Sequence, residues 1–348
     1  MENEVLKTIR YFSFFDYPPS FEEIYTFLGK KATKKKVEEA LKSLEGQKKI
    51  KKIEDLNNVT RYTLYVIYND TVGEYSIKLK NKNEKLKIER YNKRYLFSQK
   101  KLENWRVRLY LKILSFFPQI KLIGFSGSLA MMNAEKNDDI DLFIITAKNQ
   151  LFTGRIIALF WAEVFGLRKK FGKNKKSQKI FRFYPKKADL ADLSEKVCLN
   201  LFFDESDLAV PEFKRNEYVA HEILQMKPIV NKDGVYERFL TANSWVFEIF
   251  PNAKENEKFK INPPIRRIKS KFKIKNFLSN FKFLTVILRF AFYILNFLAF
   301  GVESMFKDFQ MFFINKHRTT EIITNTQLWF HPEDFGEKIH GLTRKKNG

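Results

Sequence analysis

One short stretch limits the possible folds of this chain more than any other: residues 125–146, FSGSLAMMNAEKNDDIDLFIIT. An apolar run leads into Gly127 and Ser128, and a spacer of about ten residues separates that pair from Asp139 and Asp141. The aspartates open a second apolar run. The pattern predicts a strand, a tight turn that opens a short helix, and a second strand. Because side chains alternate along a strand, Asp139 and Asp141 share one face.

The two aspartates predict a metal site. Two carboxylates this close repel each other unless a cation lies between them, and hard oxygen ligands suit Mg²⁺ or Mn²⁺. The backbone N–H groups of the Gly127–Ser128 turn are suited to phosphate oxygens. Together these features predict phosphoryl or nucleotidyl transfer. The alternative is an ordinary helix turn followed by a strand that carries two solvated aspartates.

This stretch resembles the signature of the DNA-polymerase-β-like nucleotidyltransferase superfamily, in which Gly-Ser precedes Asp-x-Asp in an apolar strand. Ser126 departs from that signature, which usually has an apolar residue before the glycine. The resemblance implies that Asp139 and Asp141 are catalytic metal ligands and that Gly127 and Ser128 bind the nucleotide. It also implies transfer of a nucleoside monophosphate from a nucleoside triphosphate to a hydroxyl of a small molecule, a protein or an RNA.

Most of the chain resembles a bacterial family of uncharacterised nucleotidyltransferase-domain proteins with an N-terminal winged helix. Besides the Gly-Ser and Asp-x-Asp stretch, the motifs that carry this likeness are FDYPPSFEEI, VCLNLFF, AHEILQMKP and FHPED. The resemblance implies an α+β fold with an N-terminal winged helix, a polymerase-β-like mixed sheet with helices, and a helical C-terminal region. The corresponding divisions are residues 1–70, a basic helical connector at 71–118, the transferase domain at 119–255, and residues 256–348.

A third carboxylate usually completes the site in this superfamily, and the sequence supplies no obvious one. Along the predicted strand 196–203, alternation places Val197, Leu199 and Leu201 on one face and Cys198, Asn200 and Phe202 on the other. The polar position is then Asn200, whose amide is a weak ligand and cannot act as a base.

Two further residues are candidates for this site. Asp204, at the end of the strand, is the candidate third acid, and Arg155, on a predicted helix, is a candidate nucleotide-binding residue. If no acid completes the site, the protein is a degenerate nucleotide-sensing or nucleic-acid-binding regulator. None of the four histidines has metal-site spacing, and His221 is predicted to be a structural or surface residue.

The N-terminal residues show a winged-helix pattern of three helices followed by a hairpin. Ser20 and Glu23 form a predicted capping box at the second helix. Residues 1–70 carry 13 basic and 11 acidic side chains. Such a nearly neutral module is a poor match for a phosphate backbone, which favours a docking or dimerisation role over DNA binding.

The net charge of +24 nevertheless predicts polyanionic partners, including nucleic acid. The excess is concentrated at residues 168–187, with ten basic residues, and 258–275, with eight, and neither segment has an acid. The alternative is that these segments are solvated surface. A single cysteine, Cys198, and the lack of a recognisable leader predict a cytoplasmic protein.

Residues 283–302 form an apolar run long enough to cross a bilayer. Polar side chains recur at every seventh position through and beyond this run, at Lys282, Arg289, Asn296, Glu303 and Gln310. The pattern favours a helix that packs within the protein with one polar stripe facing a cleft. Peripheral membrane contact is the alternative, because a basic segment precedes the run.

Overall fold

The computed structural model describes residues 1–54, 63–67, 76–168, 196–256, 302–316 and 321–330. These residues form an α+β fold with a mixed sheet, and these two features of the predicted fold are confirmed. In chain order the elements are α1 (Glu2–Ser13), α2 (Phe21–Thr26), α3 (Lys34–Gly46), β1 (Ile50–Glu54), β2 (Thr63–Ile67), α4 (Ser76–Glu103), α5 (Trp105–Phe116), β3 (Ile120–Phe125), α6 (Gly127–Ala130), β4 (Ile140–Thr146), α7 (Leu151–Val164), β5 (Val197–Asp204), α8 (Glu217–Gln225), β6 (Lys227–Asn231), α9 (Val235–Ala242), α10 (Val246–Ile249), α11 (302–315), β7 (Ile322–Ile323) and β8 (Gln327–Trp329).

The N-terminal region contains three helices followed by an antiparallel hairpin of β1 and β2, in the order that the sequence predicts. The Ser20 hydroxyl accepts the Glu23 N–H at 3.3 Å, and Glu23 Oε2 accepts the Ser20 N–H at 2.8 Å. This reciprocal capping box fixes the start of α2. Thr33 caps α3 in the simpler way, by accepting the Lys36 N–H.

The main sheet has the strand order β6-β3-β4-β5-β8-β7. The β4–β5 pair is parallel, and the remaining pairs are antiparallel. β8 pairs with β5, so residues from the C-terminal region extend the sheet. The prediction of a helical C-terminal region therefore missed two strands. They have two and three residues, which is too short for alternation of apolar side chains to reveal them.

Apolar layers cover both faces of this sheet. One layer, around α5 and α7, includes Ile140, Leu142 and Ile144 of β4. The opposite layer, around α8 and α9, includes Phe143 and Ile145. Because side chains alternate along β4, Asp141 points to the same side as the α8 and α9 layer.

The N-terminal helices contribute to that same layer. Tyr11 and Phe12 of α1 and Phe27, which follows α2, belong to the apolar cluster that contains Phe143. Asn252 adds polar contacts, because its side chain accepts the Ala32 N–H and donates to the Tyr25 carbonyl, both at 3.0 Å. The N-terminal module is therefore joined to the sheet by a shared core as well as by hydrogen bonds.

The helix α11 lies against α7 through two residues of the predicted polar stripe. The Glu303 carboxylate accepts the N–H groups of Phe152 and Thr153 at 2.7 and 2.8 Å, in the first turn of α7. An acidic side chain in that place satisfies free amides and complements the helix dipole. Gln310 donates to the Phe152 carbonyl at 2.9 Å. Two residues of the predicted polar stripe therefore contact the first turn of α7.

The rest of the apolar run, residues 283–301, lies outside the described residues, as do the basic stretches 169–187 and 258–275. None of the described helices combines the length and the apolar character that spanning a bilayer requires.

Candidate functional site

The turn after β3 lies directly against β4. Gly127 has a φ of +58°, a conformation that glycine adopts readily and other residues rarely do. A Cβ atom added there would lie 2.8 Å from Asp141 Oδ2. The Ser126 N–H donates to the Asp141 carbonyl at 3.1 Å. The structure thus brings together Gly127 and Asp141, two of the predicted site residues.

Ser128 has its hydroxyl turned to the loop that leads into β4. It donates to Asp138 Oδ2 at 3.1 Å, and the Glu135 N–H donates to the same oxygen at 2.9 Å. Lys101 of α4 also holds this loop, because its Nζ donates to the Asp138 carbonyl at 2.8 Å. Asp139, which is half-buried, is the last residue of this loop and directly precedes β4. The hydroxyl of Ser128 therefore orders the loop that carries the aspartate pair.

Glu222 of α8 is the acidic residue that the sequence reasoning missed. Its Oε2 accepts the Gly127 N–H at 3.3 Å. Burial raises the pKa of Glu222 to about 7, and the nearby charge of Asp141 adds to this effect, while hydrogen bonds from Gly127 and Tyr218 oppose it. A third carboxylate thus lies at the turn and close to Asp141, on a helix rather than on a strand.

The position of Glu222 in α8 carries the only sequence signal that points to it. Asn216 caps α8 by accepting the Val219 N–H, and Ala220, Ile223 and Leu224 are buried. Glu222 lies between buried positions of an amphipathic helix, where an acid is uncommon. The pattern therefore predicts a partly buried acid at position 222, but it does not predict that Gly127 and Asp141 lie beside it.

The neighbour of Asp141 on β5 is Cys198 rather than Asn200. Asp141 pairs with Cys198 and Phe143 pairs with Leu201, so β5 holds one extra residue between these pairs. Such a bulge reverses the alternation beyond it. The predicted grouping of Leu201 with Val197 is wrong, because Leu201 packs with the α8 and α9 layer while Val197 packs on the opposite face.

Asp204 lies at the far end of β5 and is buried. Its carboxylate accepts the N–H groups of Gln150 and Ser206 at 3.2 and 2.9 Å and the Ser206 hydroxyl at 2.6 Å. It pairs with Thr146, five residues beyond Asp141 on β4, which corresponds to roughly 16 Å along a strand. The structure does not bring this predicted catalytic residue to the aspartate pair. Its contacts hold the chain segments that follow β4 and β5.

Arg155 is likewise not brought to the turn, because α7 covers the opposite face of the sheet from Asp141. Its guanidinium donates to Gln310 Oε1 at 2.7 Å and lies 4.6 Å from the centre of the Phe330 ring. Burial, with a smaller contribution from the charge of Arg168, lowers the pKa of Arg155 to about 10. These contacts assign Arg155 to the packing of α7 against the C-terminal residues.

His221, next to Glu222, is buried among aromatic rings. It stacks on Tyr11 with ring centres 3.8 Å apart and on Phe27 at 4.4 Å. Burial, with a smaller contribution from Lys7, holds the pKa of His221 well below its usual value, so the imidazole is neutral at neutral pH. The structural role predicted for this histidine agrees with its surroundings.

The donor set fits one kind of metal binding. Within the described ranges, no group of three or more His, Cys, Asp or Glu side chains is placed to hold a metal ion. Mg²⁺ commonly binds through one or two carboxylates together with substrate phosphates and water. Asp139 and Asp141 therefore fit an ion that arrives with a nucleotide, and they do not form a closed protein site.

No protein-family model, curated protein or solved structure matches this chain.

Proposed function

We propose that this chain is a nucleotidyltransferase dependent on Mg²⁺ or Mn²⁺, with a polymerase-β-like domain and a docked N-terminal winged helix. The observation that carries the proposal is the contact between the Gly127 turn and the Asp141 carboxylate. A triphosphate held by the backbone amides of this turn would lie beside the aspartates that hold its metal ion. The positive φ of Gly127 and its close approach to Asp141 keep that space free of a side chain.

Each residue at the turn has a distinct part in this proposal. Asp139 and Asp141 hold the divalent ion, and the Gly127 N–H donates to a phosphate oxygen. Ser128 and Asp138 keep the loop that carries the aspartates in place. When bound, the ion neutralises the charge that builds on the phosphates. The acceptor oxygen bonds to the α-phosphorus, pyrophosphate leaves, and the hydroxyl proton passes to solvent.

The N-terminal module acts as a docking element in this proposal. Its first helix is part of the core beside the sheet, and Tyr25 donates to Glu255 at 2.5 Å. The outer face of α3, where winged helices often read DNA, exposes lysines and glutamates together, at Lys34, Lys35, Lys36, Lys42, Glu38, Glu39 and Glu45. The mixed charge gives a phosphate backbone little net attraction.

DNA binding by α3 can be tested with Lys34→Glu and Lys35→Glu on the whole protein. We expect unchanged affinity for duplex DNA, whereas a strong loss with a smaller salt dependence would make α3 the DNA-binding element. Binding of nucleic acid through the basic stretches 169–187 and 258–275 stays a separate prediction, as does membrane contact through 283–302. Charge reversal within each basic stretch tests the binding of nucleic acid. Flotation with anionic vesicles tests the membrane contact.

A second candidate function is a nucleotide sensor that binds a nucleoside triphosphate and transfers nothing. Two observations favour it. Cys198 lies opposite Asp141 on β5, where an acid would complete the site with Asp139 and Asp141. In addition, Glu222 already accepts the Gly127 N–H. In this case nucleotide binding would still require Asp139 and Asp141.

Transfer of labelled α-phosphate separates the two candidates. The protein is incubated with α-labelled nucleoside triphosphates and Mg²⁺ or Mn²⁺, with itself, cell RNA and small-molecule extracts as acceptors. We expect label transfer that is lost with chelator and with Asp139→Asn or Asp141→Asn. Asp308→Asn, an exposed aspartate on α11, is the matched control. Transfer that survives both site substitutions would refute the site, and nucleotide binding without transfer would favour the sensor.

A further inference from the structure

We propose that Glu222 is a built-in phosphate mimic, whose carboxylate occupies the Gly127 N–H that a nucleotide needs and is held there by the N-terminal helices. This inference rests on the proposed function, because it assigns a competitor to the same phosphate position. The competitor belongs to the chain itself, so the resting site is closed by an internal carboxyl group.

The contact geometry supports competition between Glu222 and phosphate. The Glu222 carboxylate and a phosphate oxygen are both anionic acceptors, and one N–H cannot serve both well. The distance from Gly127 N to Glu222 Oε2 is 3.3 Å, just beyond the usual range of about 2.7–3.2 Å for such bonds. The carboxylate also lies near Asp141, whose charge acts on it unfavourably. Glu222 is therefore displaced more easily than a carboxylate in a short, well-aligned contact.

The packing of α8 explains what keeps Glu222 in this place. Its neighbour His221 is clamped between Tyr11 and Phe27 and also meets Phe250, with ring centres 4.6 Å apart. Consecutive residues on a helix point about 100° apart, since a turn takes 3.6 residues. Fixing His221 against α1 thus fixes the direction of Glu222. At the surface, Lys7 of α1 pairs with Glu217 of α8 at 3.3 Å.

A physical link therefore runs from the N-terminal module to the site through one helix. A displacement of α1 would loosen the clamp on His221 and allow Glu222 to leave Gly127. Conversely, a nucleotide that displaces Glu222 would act on the α1–α8 contact, because coupling between two sites is reciprocal.

The direct test is Glu222→Gln, measured by calorimetric titration with MgATP and with tripolyphosphate. Glutamine keeps the size of the side chain and removes its charge. We expect about tenfold tighter binding of both ligands, which corresponds to about 1.4 kcal/mol. Glu248→Gln, an exposed acid on α10, is the control and should bind as the wild type does. Unchanged or weaker binding by Glu222→Gln would overturn the proposal.

The link to the N-terminal module is tested by combining Glu222→Gln with Tyr11→Leu, which removes the ring stacked on His221. We expect Tyr11→Leu to tighten MgATP binding a few-fold in the wild-type background and to have no effect when Glu222 is already glutamine. Equal effects in both backgrounds would refute the link. Hydrogen exchange gives a second readout without Tyr11 variants. MgATP should speed exchange in α8 of the wild type and leave the Glu222→Gln protein unchanged, and equal responses would also refute the link.

Failure of this inference can be told apart from failure of the proposed function. If MgATP binds in a manner that depends on Asp141 and Glu222→Gln does not tighten it, the phosphate mimic alone is refuted. If neither the wild type nor Glu222→Gln binds MgATP or tripolyphosphate, both proposals fail.

Discussion

The parallel pair β4–β5 carries an aspartate near each of its two ends, and the two ends differ in what surrounds the carboxylate. At the far end, Asp204 is enclosed by N–H and O–H donors from Gln150 and Ser206. At the near end, Asp141 lies against Gly127 and close to a second acid, Glu222.

The difference shows how one residue type can serve stability in one place and function in another. Donors around a buried carboxylate offset its desolvation, and the result is a rigid structural contact. Carboxylates that gather at one place raise each other's pKa and create a demand for a cation. The near end is therefore the candidate site, and the far end is part of the scaffold that holds the segments after β4 and β5.

The largest expected effect concerns transfer activity at the near end. Asp139→Asn and Asp141→Asn should each lower the transfer rate by about 10³-fold, or about 4 kcal/mol of barrier, because the ion loses a charged ligand. For Asp141→Asn the folded state should be no less stable, since the substitution removes a charge that acts unfavourably on Glu222. Initial rates and denaturant unfolding check the two expectations. Loss of activity caused by unfolding would contradict this account of the near end.

The second effect is a pH dependence of stability that arises from Glu222. Its pKa is about 7 in the folded protein, against 4.5 for an ordinary glutamate. Between these values the folded state binds more protons than the unfolded state, so the stabilising contribution is complete below pH 4.5 and is lost as the pH rises through 7.

Relative to Glu222→Gln, the wild type should therefore lose up to about 3 kcal/mol of unfolding free energy between pH 5 and pH 8. Denaturant unfolding of both proteins across this range measures the difference. The lowered pKa of His221 has the opposite effect on stability. Its stabilising contribution is present above the pKa of an unfolded histidine and is lost as the pH falls below that value. Because both proteins retain His221, that contribution cancels. Parallel pH profiles would show that Glu222 is not buried at the turn.

The third effect belongs to the far end. Asp204→Asn should lower the free energy of unfolding by about 2 kcal/mol, because the new amide N–H₂ would face donors where the carboxylate accepts. Nucleotide binding should be unchanged. Ser206→Ala, which removes one donor from Asp204, should cost about 1 kcal/mol and serves as the milder companion. If Asp204→Asn abolished nucleotide binding in a stable protein, the division between the two ends would be wrong.

The smallest effect compares two glycines. Gly127→Ala should cost about 1–2 kcal/mol, because a positive φ is strained for alanine, and the added Cβ would also meet Asp141. Gly46, in the last turn of α3, has no atom within 4 Å of an added Cβ, and its replacement by alanine should be neutral or stabilising by about 0.5 kcal/mol. Thermal unfolding of the two variants measures the contrast. Equal effects would mean that the turn is not tightly packed on β4.

Much of the near end could be predicted from the sequence because its parts are local. Gly127, Ser128 and the aspartate pair lie in one strand–turn–strand unit, and alternation along β4 gives their common face. The capping box at Ser20 and the helix–hairpin order of the N-terminal region are equally local signals.

The remainder depends on contacts between distant parts of the chain. Glu222 reaches the turn only because α8 packs between the sheet and α1, which no pattern in α8 itself encodes. A single extra residue in β5, between the Asp141–Cys198 and Phe143–Leu201 pairs, exchanged the faces of Leu201 and Phe202. The distance of Asp204 from the pair follows from the parallel pairing of β5 with β4, which places it opposite Thr146. The direction of that pairing could not be deduced from the place of Asp204 at the end of a strand.

The most direct test of the account is calorimetric titration of MgATP into the wild type, Asp141→Asn and Asp204→Asn. We predict that Asp141→Asn loses measurable binding while remaining folded. Asp204→Asn should bind with wild-type affinity despite its lower unfolding free energy. Wild-type affinity in Asp141→Asn, or loss of binding in folded Asp204→Asn, would contradict the assignment of the near end to nucleotide binding and the far end to stability.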